Sequence, residues 1–159
     1  MAGLPIHRSA IAPEWIDYNG HLRDAYYTLI LSEATDALMD RLGLDAGYRE
    51  SSGCTLYTLE MHIHFLREVK REDEVLVAVR LLACDHKRLH VALELERAAD
   101  RALAATAEVL LLHVHQGPTV RTRPFPPEVA TAVAELKRQS DALAAAGPGS
   151  RRIELSAPA

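Results

Sequence analysis

Residues 17–42 have the sequence DYNGHLRDAYYTLILSEATDALMDRL, and this stretch decides the fold. A turn-forming segment around Gly20 is followed, from Asp24 onward, by a pattern with the helical period. Its apolar side chains are spaced by four, three, one and four residues, which places them on one stripe of a helix: Ile30, Ala34, Ala37, Leu38 and Leu42. Gly43 follows directly and can take the left-handed conformation that ends a helix. The sequence therefore predicts a long helix over residues 24–42.

The segments on both sides of this helix predict β-strands. Residues 5–12 are expected to form a short first strand. Over residues 55–65, apolar side chains at odd positions alternate with polar ones at even positions, which predicts a half-buried strand with one apolar face. A charged turn (67–73) and two hairpin tips (85–88 and 98–101) then separate three more strands. These strands are predicted at residues 74–84, 89–97 and 102–115.

A second helix is predicted near the C-terminus. Pro127 suits its first turn, and the helix is expected to continue through Ala146. One face of this helix is apolar: Val129, Val133, Leu136 and Leu143. The residues from about 147 onward are expected to form a tail.

This order of elements predicts an α+β fold in one domain that spans residues 1–159. The four strands after the long helix are joined by short turns, so we expect them to form an antiparallel meander. The long helix must bury its stripe against that sheet, because no other element offers enough apolar surface. The free edges of such a sheet are expected to pair with a second copy of the chain.

The composition excludes several classes of protein. With 159 residues, 48% of them hydrophobic and 25% charged, the chain is expected to be globular rather than disordered or collagen-like. A net charge of -4 argues against non-specific binding of nucleic acid. No apolar run approaches the roughly 20 residues that cross a bilayer, and no signal-peptide pattern is present, so we expect a cytoplasmic protein without a membrane partner. Cys54 and Cys84 have no C-x-x-C spacing and are expected to be reduced thiols.

The motif Asp-x-x-Gly-His at 17–21, leading into a long helix, resembles the 4-hydroxybenzoyl-CoA thioesterase branch of the hot-dog fold superfamily. The chain is also similar, over roughly residues 10–155, to the thioesterases and fused domains of carnitine degradation, which hydrolyse betainyl-CoA. The motifs that support this are Asp17-Tyr-Asn-Gly-His21, Asp24-Ala-Tyr-Tyr27, Tyr57-Thr-x-Glu60-x-His62, Asp85-x-Lys-Arg-x-His90 and Arg152-Ile-x-Leu155. The resemblance implies an antiparallel sheet wrapped around a long central helix, plus a C-terminal helix. Arg23 departs from the pattern, where Asn is common, and can change the charge or shape of the pocket rim.

The resemblance implies that Asp17 is either the general base that activates water or the nucleophile that attacks the thioester. Backbone N–H groups at the helix start, near Asp24, can polarise the carbonyl and stabilise an oxyanion. Gly20 allows a ligand to approach the backbone. His21 is expected to bond the carbonyl or hold the loop, and Asn19 to position water or satisfy the turn. The residues alone leave open that Asp17 only caps the turn and that Gly20 only supplies positive φ.

Several other side chains are candidates for binding the substrate. Five aromatic rings offer cation–π contacts to a quaternary ammonium, at about 0.5–2 kcal/mol each, or else pack the core; they are Trp15, Tyr18, Tyr26, Tyr27 and Tyr57. Glu60 and His62 share one face of a strand and either line the pocket or form a solvated or interface surface. Lys87 and Arg88, on a hairpin tip, are weak candidates for the CoA phosphates, and a solvated turn is their alternative.

The sequence therefore predicts an acyl-CoA thioesterase acting on a short acyl group such as betainyl, as a homodimer or homotetramer with sites at subunit interfaces. No cofactor and no metal are expected, because the pairs His62/His64 and His113/His115 lack further ligands at a recognisable spacing. Two alternatives remain open. A hot-dog hydratase or dehydratase would need a His–carboxylate pair, and a non-catalytic acyl-CoA binding module would not need Asp17.

Overall fold

The computed structural model describes residues 3–143. Helix α1 (Asp24–Arg41) packs against one face of an antiparallel sheet, and there are two further helices, α2 (Ala46–Ser52) and α3 (Pro127–Asp141). Val129, Val133 and Leu136 of α3 belong to the same hydrophobic core. A short 3-10 helix spans Pro13–Trp15. The strands are β1 (Leu4–Ala10), β2 (Cys54–Phe65), β3 (Glu74–Cys84), β4 (Arg88–Arg97), β5 (Leu103–His115) and β6 (Arg121–Thr122). The predicted α+β class is confirmed.

Helix α1 forms the centre of the hydrophobic core. Ile30, Leu31, Ala34 and Leu38 have no exposed surface, and the facing side chains of β3, β4 and β5 are buried as well. The predicted stripe is therefore correct, although Ala37 is only half-buried. The buried face is wider than the predicted stripe, because Leu31 and Thr35 are buried as well, and the predicted wrapping of the sheet around α1 is confirmed.

The predicted four-stranded meander is wrong. The strand order is β1-β3-β4-β5-β2, so only β3, β4 and β5 form a meander, and β2 pairs with β5. The charged segment after β2 is a crossover and not a tight turn, because β4 and β5 lie between β2 and β3 in the sheet. Its Val69 is fully buried, and the Val69 carbonyl accepts a hydrogen bond from the Leu22 N–H at 2.7 Å. That anchor carries the chain across the end of the sheet to β3. The hairpin tips at 85–88 and 98–101 do connect neighbouring strands, as predicted.

The predicted alternation in β2 also breaks down. Thr58 lies opposite Leu111 and Glu60 opposite Leu110, so Leu59 is the extra residue of a β-bulge. A bulge shifts the phase of the side chains, which places Leu56 before it and Met61 after it on the core side. Tyr57, Leu59 and Phe65 do not form one buried apolar row, because their exposed fractions are 36%, 53% and 54%.

Two helix predictions need correction. Helix α2 was not predicted; its N-cap is Asp45, whose carboxylate accepts the Tyr48 N–H at 2.9 Å, and its C-cap is Gly53 with φ 65°. Helix α3 ends at Asp141 rather than Ala146, because its last bonds tighten when Leu143 N–H reaches the Ser140 carbonyl. Residues 144–159, which include the rest of the predicted helix, the tail and the Arg152-Ile-x-Leu155 motif, lie outside the described part.

No helix within residues 3–143 is long and apolar enough to cross a membrane.

Candidate active site

The turn between Asp17 and His21 is closed by its own backbone. The Asp17 N–H donates to the His21 carbonyl at 2.8 Å, and the Gly20 N–H donates to the Asp17 carbonyl at 3.1 Å. Gly20 has φ 80°, a conformation that L side chains rarely adopt. The turn is joined to the rest of the fold by Leu22, which is buried and bonded to the crossover.

The Asp17 carboxylate takes part in this turn. Its Oδ1 accepts the N–H of Asn19 at 2.8 Å and the N–H of His21 at 3.1 Å. These bonds, that from His21 above all, hold the pKa of the Asp17 carboxyl below its usual value, because they stabilise the charged form. The capping role that the sequence left open is therefore present. The two N–H groups bind one oxygen, Oδ1, of the ionised carboxylate. The bond from the Asn19 N–H also shows how Asn19 helps to close the turn.

His21 lies at the edge of a cavity of about 340 Å³ that opens to solvent next to the start of α1. Its imidazole Nε2 lies 3.0 Å from Glu68 Oε2. The cavity combines polar groups with apolar walls, and its lining residues are His21, Leu22, Asp24, Tyr27, Phe65, Leu66, Arg67 and Glu68. This is the place where the predicted His21 and Asp24 come together.

Glu68 was not identified from the sequence. It lies in the crossover, among charged residues that favoured a solvent-exposed turn, and it is far from His21 along the chain. A bridge between His21 and Lys70 brings the two segments together. Lys70 also donates to Glu68 Oε1 at 3.2 Å, and this bond, with the neighbouring His21, lowers the pKa of Glu68. The one clue to such a residue was chemical: the hydratase alternative requires a carboxylate beside a histidine.

The first turn of α1 offers a backbone donor at the cavity. Arg23 is its N-cap, and no side chain caps it. Asp24 turns its carboxylate to the Ala25 N–H at 2.9 Å, whereas the N–H of Asp24 has no acceptor among residues 3–143. A free N–H at the positive end of a helix is suited to an oxygen that becomes negative.

The five aromatic candidates do not converge in one chain. Trp15 and Tyr26 stack on each other with centroids 5.4 Å apart, and Tyr27 is buried against Phe65 at 5.2 Å. Tyr18 is 96% exposed, next to Asp17. Tyr57 lies on β2 and accepts a hydrogen bond from Gln116 at 3.0 Å. Within one chain these rings therefore do not form a cage, because adjacent positions on α1 point in different directions, and the predicted aromatic contacts stay a prediction.

Glu60 and His62 lie away from the His21 cavity. They project from the outer face of the sheet, which we define as the face opposite α1, and they line a separate cavity of about 310 Å³ with His90 and Glu108. His90 Nε2 lies 2.8 Å from Glu108 Oε2. The sequence correctly placed Glu60 and His62 on one face, but that face is not the one that meets the start of α1.

Of the two cations predicted at the hairpin tip, Lys87 and Arg88, one is paired with a carboxylate. Arg88 pairs with Asp85, with Nη2 and Oδ2 2.7 Å apart. Asp85 also accepts the Lys87 N–H at 2.9 Å. Arg88 is thus neutralised locally, and Lys87 is the remaining candidate cation of the tip.

Within the described residues, no group of three His, Cys, Asp or Glu side chains has a geometry that could hold a metal ion. His113 is buried, with its two ring nitrogens 2.9 Å from the Tyr48 hydroxyl and 2.9 Å from the Arg123 carbonyl. Its imidazole is therefore committed to the packing of α2 on the sheet. Both cysteines are free thiols.

Comparison with known proteins places this geometry in a family. Residues 11–133 match the model of the thioesterase-like superfamily. The chain belongs to that superfamily. It is 46% identical over 141 residues to the betainyl-CoA thioesterase of Pseudomonas aeruginosa, covering 88% of this chain and 87% of that protein.

Solved structures agree with this assignment. A Pseudomonas putida protein classed as a thioesterase is 42% identical and superposes with a TM-score of 0.84 over 99% of both chains. A Staphylococcus aureus protein solved in complex with CoA is 30% identical and superposes with a TM-score of 0.88 over 98% of both chains. The prediction of an acyl-CoA thioesterase with the hot-dog fold is confirmed. The chain is an enzyme, a thioester hydrolase, which excludes the non-catalytic binding module.

Proposed function

We propose that this thioesterase hydrolyses betainyl-CoA to betaine and CoA, as one domain in the cytoplasm. The observation that supports the substrate most strongly is the 46% identity to the betainyl-CoA thioesterase of P. aeruginosa over nearly the full length of both proteins. The observation that supports the site is the cavity at the start of α1, where His21, the Asp24 N–H and an apolar wall meet beside the Asp17 turn.

Asp17 supplies the reacting carboxylate. Its Oδ1 is held by two N–H groups, and the side chain of Asn19 adds a hydrogen bond to the carboxylate. We assign the reaction to Oδ2, the oxygen that these two N–H groups do not hold. As a general base, Oδ2 takes a proton from water while the water oxygen bonds to the thioester carbon. As a nucleophile, Oδ2 bonds to that carbon itself and forms a mixed anhydride, which water then cleaves. Both routes break the C–S bond and release CoA thiolate, and both need the ionised carboxylate that the lowered pKa of Asp17 maintains.

The carbonyl oxygen becomes negative in either route. The free N–H of Asp24 at the start of α1 is the donor that we assign to it, and His21 lines the same cavity. Gly20, with φ 80° and no atom near the position of a Cβ, leaves the turn open to a ligand. Arg23 is exposed at the rim of this site, so a substrate that enters must pass its positive charge.

The subunits are proposed to associate through β2. This strand is at the end of the sheet, so its outer edge has no neighbour among the described residues. It exposes apolar side chains, whose contact with water is unfavourable, and Leu66 just beyond it is 52% exposed. Because Phe65 and Leu66 also line the His21 cavity, pairing along β2 brings a partner subunit to the open side of the site.

A partner subunit would also complete the recognition of the acyl group. One chain supplies a stacked Trp15–Tyr26 pair and an exposed Tyr18, which is too few faces in one place for a quaternary ammonium. Faces from two subunits can enclose it, and each desolvated face contributes about 1 kcal/mol. Lys87 is the candidate for a CoA phosphate, as a half-buried residue on the hairpin tip with a compact positive charge.

Hydration of an enoyl-CoA is a second candidate activity beside thioester hydrolysis, because the His21–Glu68 pair is the His–carboxylate arrangement that this chemistry needs. The test for both is a screen of the purified enzyme over a panel of acyl-CoA esters. Thiol release identifies hydrolysis, and loss of the enoyl absorbance without thiol release identifies hydration. Fastest thiol release from betainyl-CoA supports the proposal. Release from other esters but not from betainyl-CoA contradicts the substrate, and hydration without thiol release contradicts the reaction.

A further inference from the structure

We infer that Glu68 is a positioning residue for His21: it holds the Nε2–H of the imidazole, so that Nδ1 is the ring nitrogen presented to the substrate. This inference rests on the proposed function, in which the thioester reacts in the cavity that His21 lines. Glu68 does not itself need to touch the reacting atoms. It acts by fixing the orientation and the tautomer of the ring.

The contact between the two side chains is well defined. Glu68 Oε2 lies 3.0 Å from His21 Nε2, and both residues line the same cavity. The second oxygen, Oε1, lies 3.2 Å from Lys70 Nζ. The carboxylate is therefore held between two nitrogens, and rotation toward either one would break the bond to the other.

The backbone places Glu68 opposite His21 without help from that contact. His21 and Lys70 form an antiparallel bridge, and the Leu22 N–H donates to the Val69 carbonyl at 2.7 Å. Val69 is fully buried beneath this bridge. On the other side, Arg97 Nη1 donates to the Glu68 carbonyl at 3.1 Å. Both segments are thus anchored before their side chains meet, which is the arrangement that orients a functional group.

The chemistry of the pair fixes the tautomer. An ionised carboxylate only accepts hydrogen bonds, so Nε2 must carry the hydrogen that lies between the two groups. In the neutral ring Nδ1 then has a free lone pair, and it has no partner among residues 3–143. That nitrogen orients a water molecule or a thiol by accepting its hydrogen. A carboxylate on the far nitrogen serves the same purpose in other histidine sites.

The first test compares two substitutions of Glu68. Glu68→Met keeps the length of the side chain but removes the acceptor, and we expect kcat to fall by about 10- to 100-fold with KM nearly unchanged. Glu68→Gln retains an acceptor oxygen and is expected to restore most of kcat. Glu74→Met is the matched control, because Glu74 is similarly exposed and pairs with Arg8, away from the cavity. Equal kcat in wild type and Glu68→Met would overturn the inference.

The second test does not depend on turnover. Nitrogen chemical shifts of labelled histidine distinguish the two neutral tautomers, and the His21 signals are assigned by their loss in His21→Ala. We expect the Nε2–H tautomer in the wild type and in Glu68→Gln, and a mixture of tautomers in Glu68→Met. A Nδ1–H tautomer in the wild type, or no change in Glu68→Met, would overturn the inference even if the proposed function holds. The expected shifts in an enzyme that does not hydrolyse betainyl-CoA would support the positioning and contradict only the substrate.

Discussion

Asp17 and His21 hold each other through two hydrogen bonds that run in opposite directions. The Asp17 N–H donates to the His21 carbonyl at 2.8 Å, and the His21 N–H donates to the Asp17 carboxylate at 3.1 Å. The orientation of the proposed catalytic carboxylate and the position of the imidazole are therefore set by one turn. Asp17 therefore has both a structural role and a proposed catalytic role, and experiments must separate the two.

Asp17→Asn separates them. The amide oxygen can still accept the N–H groups of Asn19 and His21, but the side chain can no longer act as a base or nucleophile. We expect thioester hydrolysis to fall by about 10²–10⁴-fold, while the circular dichroism spectrum and the oligomeric state stay unchanged. The matched control is Asp45→Asn, in which another capping carboxylate, bonded to the Tyr48 N–H, is replaced. Full activity in a folded Asp17→Asn enzyme would leave Asp17 with the capping role alone.

The Asp85 hairpin predicts a specific dependence of stability on pH. Hydrogen bonds from the Lys87 N–H, first, and from Arg88 lower the pKa of Asp85 to about 2 from an ordinary value of 3.8. A depressed pKa gives stability that is complete above the ordinary value and disappears as the pH falls through the folded value. The wild type should therefore melt at a higher temperature than Asp85→Asn at pH 7, and this difference should vanish near pH 2. A constant difference across that range would contradict the assignment.

The core position of α1 predicts a large loss of stability when its side chains are shortened. Leu38 belongs to α1 and is fully buried in the core, so Leu38→Ala should lower the free energy of unfolding by about 2–5 kcal/mol. Denaturant titration measures this change. Leu29 is 39% exposed on the same helix, and Leu29→Ala is the control that should cost much less. Equal losses in the two variants would mean that α1 is not enclosed by the sheet.

Association through β2 is tested by placing a charge on its exposed edge. Leu59 is 53% exposed in one chain, and Leu59→Asp should convert the oligomer to monomers in sedimentation experiments at micromolar concentration. Val120 is 47% exposed and away from this strand, so Val120→Asp should leave the oligomer intact. A wild type that sediments as a monomer would remove the partner subunit from the site.

The sequence was most informative where one periodic pattern decided the structure. The stripe from Ile30 to Leu42 predicted α1 to within one residue, and a stretch rich in Val and Leu predicted β3. The prediction of a four-stranded meander was wrong because strand order depends on where a connection is anchored, here the connection between β2 and β3. A single valine, Val69, among charged residues gave no signal that it would be buried beneath Leu22.

The site was predictable only in its local part. Asp17, His21 and Asp24 are close in sequence and stay close in the fold, because one turn and one helix start contain them. Glu68 was missed since its approach to His21 depends on the crossover. Tyr26 and Tyr27 were grouped by their sequence positions, but one stacks on Trp15 and the other enters the core.

The most direct measurement for the proposed substrate is a competition between betainyl-CoA and 3,3-dimethylbutyryl-CoA. The two acyl groups have nearly the same size, so shape hardly separates them and the positive charge of the ammonium does. If two or three aromatic faces from paired subunits enclose that charge, at about 1 kcal/mol each, kcat/KM should favour betainyl-CoA by about 30- to 150-fold. Equal values, or a preference for the neutral ester, would contradict the recognition of betaine and leave a thioesterase of general acyl specificity.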